Sequence, residues 1–559
     1  MHDVVIRNAQ LVDGLGGPPR HGSLAVAAGR IAAVGDDVGP GRQILDARGL
    51  TLAPGIIDTH THYDAQVTWD PGLTASSSLG VTTAIMGNCG FTIAPCRPGD
   101  RDLVMRNLTN VEGMSLDALR AGIRWEFETV PEYLAMIERR GIGLNLAAFV
   151  GHSSIRTFVM REDAPRRAAR ADEVDAMRAL VLEGVRAGAT GFATSTAPAH
   201  NGHGGLPMPS RLADDAELLA LTGALGDAAR GMFMLTKGAQ TTVDFLEGIA
   251  ARNGRPVIVA ALLHNNITPN AVFEDLDAIG AANTRGRRLF GAVSCCPLTM
   301  DFTLETPYPF EGLESWRPAL GQQGEAFKRA IADPGFRNAI RAELAQPVTV
   351  RAFNGEWDKV IVAETALPHH RAFEGRSLAE ISREERRDPL DVLLDLSLAE
   401  NLRTAFAALL LNSDETAVAR LLRHPHSLVS LSDAGAHLTL LNDAGFGLHL
   451  LGYWVRERGV LSLAEAVRKL TADAAAAFGI TDRGRLAVGC AADLMLFDPA
   501  TVARGPKRRV FDLPAGASRL AMPAVGLHGV WVNGEHVVDE RGPITSAPLA
   551  GRLLREFAA

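Results

Sequence analysis

Two short stretches hold the residue types that can hold a metal ion. The first is Pro54-Gly55-Ile56-Ile57-Asp58-Thr59-His60-Thr61-His62, and the second is Ser432-Asp433-Ala434-Gly435-Ala436-His437. Side chains alternate with period two along a strand, so His60 and His62 face one way and Thr61 the other. Two neutral imidazoles on one face can grip a single ion at roughly 2.0–2.1 Å each. A His-x-His on a solvated strand would carry no such meaning. Here it follows the apolar run Leu52 to Ile57, at the carboxyl end of a buried strand, where barrel enzymes keep their chemistry. A later strand ending in Asp433 supplies a carboxylate, and the set points to metal-dependent hydrolysis.

Other apolar runs also end in polar groups. Thr82 to Met86 leads into Gly87-Asn88-Cys89-Gly90, and Leu144 to Val150 into Gly151-His152-Ser153-Ser154. Met232 to Leu235 leads into Thr236-Lys237, and Val257 to Leu263 into His264-Asn265-Asn266. Cys89 alone could be a small buried hydrophobe; between glycines at a strand exit beside two histidines, it reads as a thiolate ligand. A Cys89 nucleophile is the competing mechanism, but no His-Asn or His-Asp couple is identifiable for it. His152 is either a donor to substrate or a structural hydrogen-bonder, and Arg156 either a carboxylate cradle or a salt-bridge partner. His203 and His437 are weaker candidates on loop placement alone.

The elements that must position these groups form a recognisable order. Eight apolar runs, at 55–57, 82–86, 144–150, 191–194, 232–235, 257–263, 289–293 and 428–431, alternate with amphipathic helical stretches such as 172–188. That order counts out an α/β fold, a (β/α)8 barrel. Residues 300–425 are too many for one crossover, so an insertion near the end of the barrel is expected, with helical pieces at 320–345 and 387–416. Both termini read as short strands with turns, including the hairpin signal Asn533-Gly534. The expected division is a small β-sandwich domain from 1–54 and 485–559, and a metal-dependent barrel over 55–484.

Composition narrows the partners. The 559 residues carry 56 Lys plus Arg against 64 Asp plus Glu, a formal net charge of -8 with a pI near 6.1. Without a basic run, a nucleic-acid partner is excluded as an expectation. Five cysteines in this length form no disulfide framework. No signal peptide or membrane span is visible, so a cytoplasmic protein acting on a small molecule is expected. Homo-oligomer formation stays open.

The chain resembles the N-acyl-D-amino-acid deacylases (D-aminoacylases) of the amidohydrolase superfamily over essentially its whole length. The resemblance is carried by the Pro54–His62 stretch, Gly80-Val81-Thr82-Thr83 with Gly87-Asn88-Cys89-Gly90, and Ser432-Asp433. Gly489-Cys490-Ala491-Ala492-Asp493-Leu494 and Gly551-Arg552-Leu553-Leu554-Arg555 add to it. The Asn-Cys-Gly element is the more specific marker, since most amidohydrolases use a lysine there. The resemblance implies one or two zinc ions, hydrolysis of a linear amide in an N-acylated amino acid, and a set of roles. Cys89 and His264 would hold the tighter position with a strand-five histidine; His60, His62 and Asp433 would hold the second, with Asp433 also moving the proton. This chain departs from the pattern twice. Lys237 stands where the strand-five histidine is expected, which implies either a carbamylated or deprotonated lysine ligand or a reduced site. Asn266 and Ala239 stand where a lysine and an arginine would suit a substrate carboxylate. A cyclic or carboxylate-free amide is therefore an alternative substrate, and a silent small-molecule-binding barrel an alternative class.

Overall fold

The computed structural model describes residues 1–238, 240–346, 353–436 and 442–558. Ala239 and His437 lie outside them. Eight parallel strands form one sheet in sequential order, beginning with Ile56–Thr61, Val81–Met86, Asn145–Gly151 and Gly191–Ser195. Met232–Thr236, Val257–Ala260, Leu289–Val293 and Ser427–Val429 complete it. Strands one to six are buried along their whole length, as their near-continuous apolar sequence requires when helices cover the outside and side chains fill the inside. Strand one meets strand eight just beyond their ladders. A parallel bridge joins Thr61 to Ala434, the His62 N–H donates to the Ala434 carbonyl at 2.8 Å, and the Asp433 N–H donates to that of His60 at 3.2 Å.

Strands from both ends of the chain share a separate nine-stranded sheet, from His2–Leu11 to Thr51–Pro54 and from Leu494–Phe497 to Gly542–Pro543. Two of the stretches that carry the family resemblance join this sheet and the chain's end to the barrel. Asp493 is buried, pairs with the buried Arg483, and accepts from the Asn145 side chain at 3.0 Å and the Asn533 N–H at 2.7 Å. Near the other end, Leu553 bridges to Leu146 of strand three, with the Leu554 N–H on the Leu146 carbonyl at 2.7 Å.

Between strands seven and eight lies an insertion with its own antiparallel sheet, Leu298–Phe302, Ala405–Leu411 and Val360–Glu364. Its core is aromatic, with Phe302, Phe310, Trp316 and Phe406 all buried. The helical expectations here are corrected in two places. The piece at 320–345 is two helices, Gly324–Ala332 and Pro334–Leu344, because Asp333 caps the second and Pro334 occupies its first position. The piece at 387–416 holds a helix over Pro389–Ala399, then the strand Ala405–Leu411, whose burial alternates residue by residue. Apolar composition hid that period-two pattern in the sequence.

Asp493→Ala should destabilise the protein by about 3–5 kcal/mol, since it removes the buried partner of Arg483 and leaves only the half-exposed Asp482. Denaturant unfolding checks this, and an unchanged midpoint would remove the pair from any role in joining sheet to barrel.

Candidate metal centre

The seam between strands one and eight carries the site. His60 Nε2 lies 3.3 Å from Asp433 Oδ1 and 3.6 Å from Cys89 Sγ, and His62 Nε2 lies 3.5 Å from the same Asp433 oxygen. The donor atoms of His60, His62 and Cys89 all fall within 4.8 Å of one another. A tetrahedral ion with bonds of roughly 2.0–2.1 Å to nitrogen and oxygen and about 2.3 Å to sulfur needs donors some 3.3–3.6 Å apart. The spacings of His60 to Asp433 and to Cys89, and of His62 to Asp433, match that requirement, and the donor types suit a zinc-sized ion.

Local backbone explains how the donors converge. Cys89 sits in a turn with φ of 56° and Asp433 has φ of 47°, both in the left-handed region that costs a side-chain-bearing residue energy. Glycines make the two turns close. A Cβ on Gly90 would meet the Ala193 carbonyl oxygen at 2.5 Å, and one on Gly435 would meet that of His62 at 2.7 Å. Ser432 Oγ donates to Asp58 Oδ2 at 2.5 Å and to the His60 carbonyl at 3.2 Å, fastening the strand carrying the histidines to the turn carrying Asp433.

The electrostatics favour a cation. Burial pushes Asp58 and Asp64 up to about 7 each, and it also pushes the Cys89 thiol up. For His62, burial alone would lower the pKa; Glu112, Asp433 and Cys89 together raise it well above the imidazole range. Asp433 is the most open of these groups, its side chain 23% exposed against 4% for each histidine, so water reaches the centre at the carboxylate.

Several sequence expectations are corrected. Lys237 donates to both carboxylate oxygens of Asp275, at 2.6 and 2.5 Å, and is thereby engaged outside the donor cluster. Alternation is the reason: Thr236 directs its hydroxyl to Cys89 Sγ at 3.2 Å, and its neighbour Lys237 is paired elsewhere. His152 has both nitrogens engaged, Nδ1 with Thr194 Oγ1 at 2.7 Å and Nε2 with Glu217 Oε1 at 2.8 Å. Arg156, one helical turn on, donates to both oxygens of the same Glu217. The two residues tie the helix His152–Met160 to the helix Asp215–Ala228. Asn266 donates to Glu356 and to Ser413, each at 2.9 Å, and so joins strand six to the segments flanking it. His264 is buried and outside the compact donor cluster; its Nδ1 has no hydrogen-bond partner among the described residues. His203 is exposed.

Two groups near the centre were not singled out from sequence. Glu112 lies 3.1 Å from His62 Nδ1. Tyr308, from the insertion, is near enough that Glu112, Asp433 and Cys89 add to the burial that raises its phenol pKa. Neither belongs to a motif, and both reach the site from outside the barrel strands.

Residues 43–538 match the model of the amidohydrolase family. An N-acyl-D-aspartate deacylase of Alcaligenes xylosoxydans xylosoxydans is 31% identical, with 99% of this chain and 95% of the relative covered. Among solved structures, a D-aminoacylase described with a binuclear metal centre has a TM-score of 0.69 at 25% identity, each chain covered completely. The N-acyl-D-glutamate deacylase of Bordetella bronchiseptica, complexed with zinc and a phosphonate inhibitor, has a TM-score of 0.68 at 27% identity, covering 99% of this chain and 100% of that one. No described helix is long and apolar enough to cross a membrane.

Cobalt(II) added to the metal-free protein should give a thiolate charge-transfer absorption that Cys89→Ser abolishes and Lys237→Met retains. Loss of the band in Lys237→Met would restore that lysine to the centre.

Proposed function

Because this chain belongs to the amidohydrolase family, we propose that it is a zinc-dependent deacylase hydrolysing the amide bond of N-acyl-D-amino acids. The observation that carries the reading is the clustering of the His60, His62 and Cys89 donor atoms within 4.8 Å of one another on the barrel seam, with Asp433 Oδ1 3.3 Å from His60 and 3.5 Å from His62. His60, His62 and Cys89 would hold one ion, with Asp433 beside them to handle the proton of the water. Among the described residues no second donor cluster accompanies it: Lys237 is paired with Asp275 and His264 stands outside the cluster.

Zinc bound there supplies a lowered water pKa and a polarised amide carbonyl. The chain's own residues do the rest. Asp433, the most exposed donor, takes a proton from the attacking water and delivers it to the departing nitrogen, so that the C–N bond breaks to a carboxylate and a free amine. His60 and His62, held by the seam hydrogen bonds, fix the direction from which the carbonyl is approached. The free, buried state of all five cysteines supports a reducing compartment, and we place the protein in the cytoplasm.

One observation favours a second substrate reading. Asn266 is engaged by Glu356 and Ser413 and carries no charge itself, and the cation at this exit, Lys359, is already paired with the same Glu356 and Ser413, which suits an amide without a carboxylate. N-acetyl-D-amino acids assayed beside their carboxamide counterparts separate the two. Faster turnover of the free acids supports the deacylase; hydrolysis of the carboxamides alone selects the second reading.

The purified protein should contain one zinc per chain by elemental analysis, and two would overturn the single-ion arrangement. Asp433→Asn should lower kcat by about 10²–10⁴-fold, the usual contribution of a positioned acid–base group. Wild-type kcat in that variant would remove Asp433 from proton transfer.

A further inference from the structure

His62 has its two ring nitrogens in different company. Nε2 faces the donor cluster, 3.5 Å from Asp433 Oδ1, whereas Nδ1 lies 3.1 Å from Glu112 Oε1 on the opposite side of the ring. Glu112 closes the helix Arg101–Val111, its N–H bonded to the Leu108 carbonyl, and Gly113 follows with φ of 57°. The chain thus leaves the connection between strands two and three to bring a carboxylate behind a histidine of strand one. Both side chains are nearly inaccessible, 4% exposed for His62 and 2% for Glu112. Burying a carboxylate is expensive unless it is well paired.

We propose that Glu112 is a positioning residue: the charge of its carboxylate, 3.1 Å from Nδ1 but out of hydrogen-bonding alignment, favours the tautomer protonated at Nδ1 and leaves the Nε2 lone pair for the metal. A carboxylate in that place fixes the ring orientation and makes the imidazole a stronger donor. The proposal rests on the zinc site described above. Glu112 acts through His62.

The molecule holds its own control. His152 Nε2 and Glu217 Oε1 form an equally buried histidine–carboxylate couple at 2.8 Å, but there the other nitrogen is bound to Thr194. Zinc affinity of the full-length protein, by competition with a chromophoric chelator, is measured for wild type, Glu112→Gln, Glu112→Ala and Glu217→Gln. Glu112→Gln, which preserves the shape and removes the charge, should bind zinc ten- to a hundredfold more weakly, about the effect of losing such a partner. At saturating zinc its kcat should fall with KM within twofold of wild type. Glu217→Gln should keep wild-type zinc affinity whatever its thermal stability.

Wild-type affinity in Glu112→Gln overturns the proposal. So does an equal loss in Glu217→Gln, which would make the effect one of general destabilisation. Absence of zinc binding by the wild type would instead defeat the zinc reading itself, so the two failures are distinct. If Glu112→Ala does not fold, the isosteric Gln variant carries the decision alone.

Discussion

The seam between the first and last barrel strands is the constraint on which the site depends. The closure sets His60 and His62 beside Asp433. Its hydrogen bonds run between the same residues that supply the donors, the His62 N–H to Ala434 and the Asp433 N–H to His60. Closing the barrel and assembling the donor set are therefore one event. Asp433 accepts a left-handed backbone, and Gly435 admits the His62 carbonyl where a Cβ would collide with it. Strain of this kind persists only where the surroundings over-determine it.

Charge follows from that closure. The centre gathers the carboxylates of Asp58, Asp64, Glu112 and Asp433 around two imidazoles and a thiol, nearly all out of water. In a low-dielectric pocket such a set is stable only with protons or a cation. A divalent ion does both jobs at once, since it neutralises the carboxylates and favours the thiolate form of Cys89 that burial opposes. Lys237 adds no compensation here, its charge being answered by Asp275.

Much of the architecture was legible because the barrel strands are continuous apolar runs bounded by polar exits, and all eight were marked in the sequence. His60, His62, Cys89 and Asp433 were legible for the same reason, each standing at such an exit. The insertion was legible as an excess of length only. Its strand Ala405–Leu411 is apolar on both faces, so period and composition gave no contrast between helix and sheet. Lys237 was misplaced because position along the chain was read as position in space, when the side chain facing Cys89 belongs to Thr236. Glu112 could not be found from sequence: a single glutamate at a helix end has no periodicity to betray a partner fifty residues away in another element.

His152 and His62 show why residue type alone does not decide function. Each is a buried histidine at or beyond a barrel strand's carboxyl end, and each has a glutamate at hydrogen-bonding range. What separates them is the nitrogen that the glutamate leaves over. In His152 it meets the Thr194 hydroxyl, which completes the ring's hydrogen bonding and makes the residue a joint between helices. In His62 it meets other donor atoms, and two donors facing each other at 3.5 Å need something positive between them. A carboxylate behind the first ring stabilises packing; behind the second, it sets the direction and strength of a ligand. The sequence spells both couples alike, and only the fourth atom in each, brought in by the fold, tells them apart.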